Sequence, residues 1–398
     1  MKILLIIPSG GVGGIERLAL NFYHFYKGKG YVVKVLKIIK LPSDIVSFGE
    51  DEWCLSDVDF SEMSKIQRLS FYVESPYRLR KIIKKHQFSH TLGFGDMPNI
   101  FSSLTFTKEY KIVSLHALKS VELSNNSLLS KLSRISYRTS YYFLDKVVCI
   151  SNAIKIDLVT NCNFKFKEKL QVIYNPHNIK NIQELALETI EDEHELAMFH
   201  KKTILFLGRL TLQKAPWHLL KSFALMKENK DVNLLFLGDA VPGVQSYLDR
   251  LIEEYGIANN VFFLGRKSNP YPYLAKANVL ALSSYYEGTP NVIVESIAVD
   301  VPIVSSNCTD GILELMSTQP TEVRDELIFT ESGILTPNFF KGKLFLPDSM
   351  EFLEEEKTFA HALELVLNSA HYKESLMRSK SKLLEKVDLE TIAMKYLE

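Results

Sequence analysis

Only four cysteines occur in 398 residues, Cys54, Cys149, Cys162 and Cys308. No pair has C-x-x-C spacing and no histidine pattern completes a zinc site, which excludes a disulfide scaffold and a zinc module. They read as reduced thiols of an intracellular chain. Charge of one sign is also missing: 47 Lys and Arg balance 47 Asp and Glu, so a uniformly basic nucleic-acid binder is excluded. Long apolar runs are absent. The N-terminal run covers only Ile3 to Ile7, too short for a signal-peptide core. No stretch approaches the ~20 residues of a membrane span. Solenoid-period repeats and low-complexity tracts are missing as well. The expectation is a cytoplasmic chain, with peripheral contact at the inner membrane face left open.

What is present is ordinary globular composition, 46% hydrophobic and 24% charged, at a length that suggests two or three domains. The neutral total hides a split. Residues 1–175 carry 25 Lys/Arg against 15 Asp/Glu, and the remainder carries 22 against 32. Either two oppositely charged domains attract each other, or the basic half meets anionic lipid or phosphate.

Short apolar runs alternate with amphipathic segments throughout. KILLIIP, VVKVLKII, SHTLGF, KIVSLH and KVVCIS read as strands in the first half; TILFLGR, VNLLFLGD, NVFFLGR, NVLALSS and VPIVSS do so in the second. Continuous rather than alternating apolar runs mark strands buried on both faces of a parallel sheet. Residues 216–228 and 244–255 read as intervening helices. Two doubly wound α/β sheets follow. The boundary is expected in residues 172–180, where Asn-Pro marks a turn. Domains are expected at 1–178 and 179–380, with residues 381–398 forming a helix that returns to the first. Residues 181–200 are expected as one acidic helix with a loop.

Three places can carry chemistry. The first strand ends in Pro8-Ser9-Gly10-Gly11-Val12-Gly13-Gly14 before a helix, where backbone N–H groups can approach an anion. The dinucleotide fingerprint fails, because Glu16 stands at its third glycine and no acid ends the second strand. The alternative is a tight turn that needs glycine's φ freedom. In the second half, strand TILFLG runs into Arg209, with Lys214 five residues on; two cations there can clamp a diphosphate. Strand NVLALSS leads into YYEGTPNVIVESIA. Thr289-Pro290 is expected as N-cap and first helical residue, giving an exposed helix start bracketed by Glu287 and Glu295. Carboxylates accept well from vicinal diols, so one can hold sugar hydroxyls and the other ribose. The alternative is that these are solvated surface charges.

GRLTLQK, LGRKSNPYPYLAKANVLALSS and EGTPNVIVE with its Glu-x7-Glu spacing, together with GGVGGIER and VVCIS…VIYNP, resemble the retaining glycosyltransferases of the glycogen-synthase-like family, family four. The resemblance covers roughly residues 1–315 and the tail. It implies a GT-B fold, two Rossmann-like doubly wound parallel-sheet domains facing across a cleft, with acceptor bound by the first and nucleotide-sugar by the second. It implies that Arg209 and Lys214 bind the donor diphosphate, that Glu287, Gly288 and Thr289 bind the sugar, that Glu295 binds ribose, and that Asn291 belongs to the donor site. Gly13 and Gly14 would face the phosphates or the acceptor. His116, after strand KIVSLH, would lie near the reacting sugar without acting as general base. UDP is the implied nucleotide, with no metal and no other cofactor. The sequence departs from the family after VSSNC, where TDGILEL leaves Glu314 as the acid in register, and after Gly333-Ile334-Leu335-Thr336-Pro337, where Asn338 and Phe339 replace the usual Asp.

The basic stretches 77–86 and 128–143 fit amphipathic helices and favour a lipid-diphosphate-linked glycan acceptor, as in bacterial surface polysaccharide assembly. A non-catalytic nucleotide-sugar-binding subunit would share the fold but should lose Arg209, Lys214 or Glu295. A nicotinamide oxidoreductase is disfavoured by the first loop.

Overall fold

The structure, a computed structural model, describes every residue except 12, 125, 126, 228, 320, 325 and 348. The chain divides into two units: Met1–His177 with Val387–Glu398, and Asn178–Lys386.

The first unit holds seven parallel strands: β1 (Lys2–Ile7), β2 (Val32–Ile39), β3 (Glu52–Ser56), β4 (His90–Phe94), β5 (Tyr110–Leu115), β6 (Lys146–Cys149) and β7 (Leu170–Val172), in the order β3-β2-β1-β4-β5-β6-β7. Side chains of β1 alternate between two cores, as the pleat requires. Ile3, Leu5 and Ile7 pack with Phe22 and Tyr26 on one face, and Leu4 and Ile6 with Leu36, Phe71 and Leu79 on the other. The order reverses between β1 and β4, so their C-terminal ends form the crevice where open α/β sheets bind ligands.

The helix Leu389–Leu397 belongs to this unit. Tyr396 is fully buried with its ring 4.8 Å from Phe22, and the Tyr26 hydroxyl donates to the Ala393 carbonyl at 2.7 Å. Residues 381–385 do not join it, because they complete the helix His371–Glu385 of the second unit.

The second unit holds β8 (Lys202–Leu207), β9 (Val232–Leu237), β10 (Val261–Gly265), β11 (Val279–Leu282), β12 (Ile303–Ser306), β13 (Glu322–Arg324), β14 (Leu327–Thr330) and β15 (Gly333–Thr336). Their order is β10-β9-β8-β11-β12-β15-β14-β13. The sheet is parallel through β15, but β14 and β13 return antiparallel, an edge that the parallel reading did not contain. Here the reversal lies between β8 and β11. Gly238, at the end of β9, has φ +146°, and a Cβ there would lie 2.1 Å from the Gly208 carbonyl oxygen. Only glycine lets the chain end pass this close to the strand that leads into Arg209.

Some local expectations change. Residues 181–200 are two short helices, Ile179–Leu185 and Glu193–Ala197, rather than one, because Asp192 caps a new start with its side chain. The helix expected over 216–228 spans Pro216–Leu225, and Glu228 lies outside the described residues. The stretch 128–143 is a helix only over Leu128–Ser136, followed by a 3-10 turn.

Candidate active site

Both chemistry-bearing loops of the second unit leave the strands that flank its reversal point. Arg209 and Lys214 follow β8, and Glu287 follows β11. Lys214 Nζ lies 2.5 Å from Glu287 Oε1, and the Ser284 hydroxyl donates to the same oxygen at 2.8 Å. The two loops are laced by backbone. Tyr285 N–H donates to the Gln213 carbonyl at 2.8 Å, the Gln213 amide to the Tyr286 carbonyl at 3.0 Å, and the Ser283 hydroxyl to the Ala215 carbonyl at 3.0 Å. Ala215 holds φ +43°, left-handed backbone that costs a non-glycine residue about 1–2 kcal/mol. Such strain persists where surrounding structure over-determines it, as these bonds do.

Behind the loops, His218 links Glu356 at 2.7 Å to the Tyr285 hydroxyl at 3.0 Å, and the Lys221 ammonium reaches Glu356 at 3.0 Å. Burial first of all pushes the His218 pKa down. Asn338 donates to the Tyr285 carbonyl at 3.3 Å, and Phe339 stacks on His218 at 4.4 Å. The two positions that depart from the family pattern therefore brace the Tyr285 loop.

The helix Asn291–Ala298 starts at the reversal point. Its start differs from expectation. Pro290 is the N-cap and the Thr289 hydroxyl does not cap. Instead Thr289 Oγ1 is buried without a hydrogen-bond partner among the described residues. The start is not exposed either, since Glu287, Thr289 and Glu295 are all buried and Asn291 is half-buried. Arg209 is exposed, with no ion pair or hydrogen bond to its guanidinium among the described residues. Cys308, after β12, is close enough to Glu287 and Lys214 for both to act on its thiol, whose pKa burial, then Glu287, pushes up. The site thus offers one open cation, one shared cation, two buried carboxylates and an unpaired hydroxyl. Diphosphate, sugar and ribose need such groups.

In the first unit, Gly13 caps the helix Gly14–Gly28 after β1. Neither Gly10, Gly11, Gly13 nor Gly14 has positive φ, so backbone freedom does not explain this loop; Val12 lies outside the described residues. Close approach does. A Cβ on Gly10 would lie 2.4 Å from Lys37 Nζ and 2.7 Å from Asp44 Cγ. Buried Lys37 pairs with Asp44 at 3.1 Å and Glu52 at 3.0 Å, and Asp44 accepts the Gly10 N–H at 2.8 Å. His116 follows β5. Its Nε2 bonds the Ser114 hydroxyl at 2.5 Å, and Tyr396 reaches that hydroxyl at 3.4 Å. Burial, then the Lys119 ammonium, holds the His116 pKa at about 3, so the ring is neutral at pH 7. The one Asp-x-Asp, Asp57-Val58-Asp59, lies in the turn after β3; Asp59 accepts the Ser61 N–H at 2.8 Å. Among the described residues no three His, Cys, Asp or Glu side chains gather as a metal site, and no helix is long and apolar enough to cross a membrane.

Residues 12–181 match the family described as Glycosyltransferase Family 4, and residues 171–321 match Glycosyl transferases group 1. Between them the two glycosyltransferase models match residues 12–321, and the fold is GT-B. It is 26% identical over 402 residues to a Campylobacter jejuni enzyme, the N-acetylgalactosamine-N,N'-diacetylbacillosaminyl-diphospho-undecaprenol 4-alpha-N-acetylgalactosaminyltransferase, covering 100% of this chain and 99% of that one. An uncharacterised glycosyltransferase of Methanocaldococcus jannaschii is 26% identical over 371 residues, covering 87% of this chain and 90% of its own. Among solved structures, Anabaena HepE in complex with UDP superposes with TM-score 0.72 at 17% identity, covering 100% of this chain and 98% of that one.

Sequence reasoning named Lys214 and Glu287 separately, and the fold brings them into contact. It missed Ser283, Ser284, Gln213 and Cys308. Serines directly after NVLAL, at a strand's C-terminal end, were the available signal for the first two.

Proposed function

We propose that the chain is a retaining, family-four transferase that moves a sugar from UDP-sugar to a glycan carried on a lipid diphosphate, in bacterial surface polysaccharide synthesis. The Lys214–Glu287 pair across the reversal point, with Arg209 exposed on the same loop as Lys214, carries the reading. The Campylobacter relative's diphospho-undecaprenol acceptor and the UDP of HepE support the substrate classes. Arg209 and Lys214 take the diphosphate. An ammonium with three N–H donors can serve Glu287 and a phosphate oxygen together. Glu287, Gly288, Thr289 and Asn291 serve the sugar, and the free Thr289 hydroxyl suits a sugar oxygen. Glu295 takes ribose. Gly13 and Gly14 meet phosphate or acceptor, and neutral His116 bonds a sugar hydroxyl.

The reaction is front-face displacement. The acceptor oxygen bonds the anomeric carbon as the bond to phosphate oxygen breaks, and that oxygen takes the acceptor's proton. Arg209 and Lys214 stabilise the charge growing on the diphosphate. No metal takes part. Titration with UDP tests the assignment. Glu295→Ala should weaken UDP binding, whereas Glu287→Ala should leave it nearly intact and lose donor turnover. Equal weakening by both overturns the division between sugar and ribose. Activity removed by EDTA and restored by Mg²⁺ overturns the metal-free reading.

A further inference from the structure

The helix Lys65–His86 is apolar on two faces. Phe71, Tyr72, Leu79 and Ile83 enter the core of the first unit. On another face Ile66, Leu69, Val73 and Tyr77, spaced three, four and four, are exposed, Val73 by 70%. A surface helix needs one apolar stripe, so the second has no role in this fold. It borders a groove of about 760 Å³ whose other wall is the helix Leu128–Ser136, presenting exposed Leu128 and Ile135, with exposed Phe106 at one end.

Both helices that wall this groove are basic. Past Tyr77 the long helix carries Arg78, Lys81, Lys84 and Lys85 on exposed positions and no acid; Glu74 is its one acidic residue. The opposite wall and the turn after it, residues 128–143, contain exposed Lys131 and Arg138 and no acid; Arg134 there donates to the Leu123 carbonyl at 2.6 Å. Arg80 is otherwise engaged: its guanidinium donates to the Thr105 and Phe106 carbonyls at 2.9 and 3.0 Å and fixes the groove end. It is not a headgroup ligand, contrary to a reading that counts every cation of 77–86.

We propose that this face docks on an anionic phospholipid leaflet, the apolar stripe and groove taking hydrocarbon and the exposed cations of the two walls taking headgroup phosphates. A second copy of the chain fits poorly, because two such cationic faces repel. A protein partner would have to match cations on both walls with acids. A lipid leaflet supplies apolar chains and negative charge together. The proposal stands on the first unit alone and not on the donor site.

Sedimentation with phosphatidylcholine vesicles, with and without phosphatidylglycerol, tests it on the full chain. Wild type should bind the anionic vesicles and be released by salt. Lys81→Gln/Lys84→Gln/Lys85→Gln should lower anionic binding by about a hundredfold, at about 1 kcal/mol per cation near the surface. Val73→Glu/Ile135→Glu should lower it at least tenfold at equal salt, with UDP affinity and melting unchanged because both positions are exposed. A fluorophore on Val73→Cys should shift to the blue on anionic vesicles only. No binding, binding indifferent to Val73→Glu/Ile135→Glu, or a wild-type dimer that this variant dissolves would each overturn the proposal.

Discussion

Replace Lys214 with Met and keep everything else. Glu287, 8% exposed, then keeps the Ser284 hydroxyl at 2.8 Å but loses its ammonium. Removing one partner of a buried ion pair costs about 3–5 kcal/mol, mostly for the charge left behind. The Lys214 side chain is 22% exposed, so water screens part of this, and about 2 kcal/mol is expected. At about 2–4 °C per kcal/mol for a unit of this size, the transition of the second unit should fall by about 4–8 °C. That transition is identified as the one UDP raises. Glu287→Gln alone should cost less, since an amide needs no counter-charge. The double variant should recover part of the loss, leaving a coupling of about 2 kcal/mol in the cycle. Saturating UDP should reduce the coupling, because phosphate then shares the ammonium. A coupling below about 0.5 kcal/mol is what a solvated surface pair gives. It would show that the two loops are not joined through this pair, and the argument from the reversal point would fail.

Arg209→Ala should lower turnover about 10²–10³-fold, as for a lost oxyanion donor, while changing stability by less than about 0.5 kcal/mol because the residue is exposed; unchanged donor turnover refutes the role. Gly10→Ala should destabilise the first unit by about 1–3 kcal/mol, since its Cβ meets the Lys37–Asp44 pair; an unchanged melt refutes the close-approach account. Buried His177, held at about pKa 3 by desolvation and then Arg17, stays neutral in the fold while the unfolded chain protonates near 6.5. Its contribution is complete above pH 6.5 and is lost as pH falls toward 3, by about 2 kcal/mol at pH 5. His177→Gln should shrink the pH 7-to-5 difference in urea unfolding by that amount, and an unchanged difference refutes it.

The strands buried on both faces were legible because burial leaves a continuous apolar run, as in KILLII and VNLLFL. EWCLS and LQV carry no such run, and as β3 and β7 they lie at the two edges of their sheet, where one side is unpaired. β13 likewise lies at an edge of its sheet, whereas LIFT, as β14, is paired on both sides and is an apolar run that the sequence reading did not take as a strand. Arg209, Lys214, Glu287 and Glu295 could be named from type and spacing. That Lys214 meets Glu287 across 73 residues, or that the Thr289 hydroxyl is buried without capping the helix it precedes, follows from tertiary packing and leaves no local trace. The glycines after β1 showed a loop, but not the Lys37–Asp44–Glu52 cluster that lies against Gly10.

The His177 N–H donates to the Val387 carbonyl at 2.8 Å, so the chain leaves the first unit and re-enters it at one point. Everything between is an insertion. On the ribosome the unit begun first is therefore finished last. Until residues 387–398 emerge, Phe22 and Tyr26 lack the ring of Tyr396 that closes their core. A chain stalled after residue 386 carries a complete second unit beside an open aromatic seam on the first. Such a product exposes Phe22 and Tyr26, apolar surface of the kind that chaperones and proteases act on.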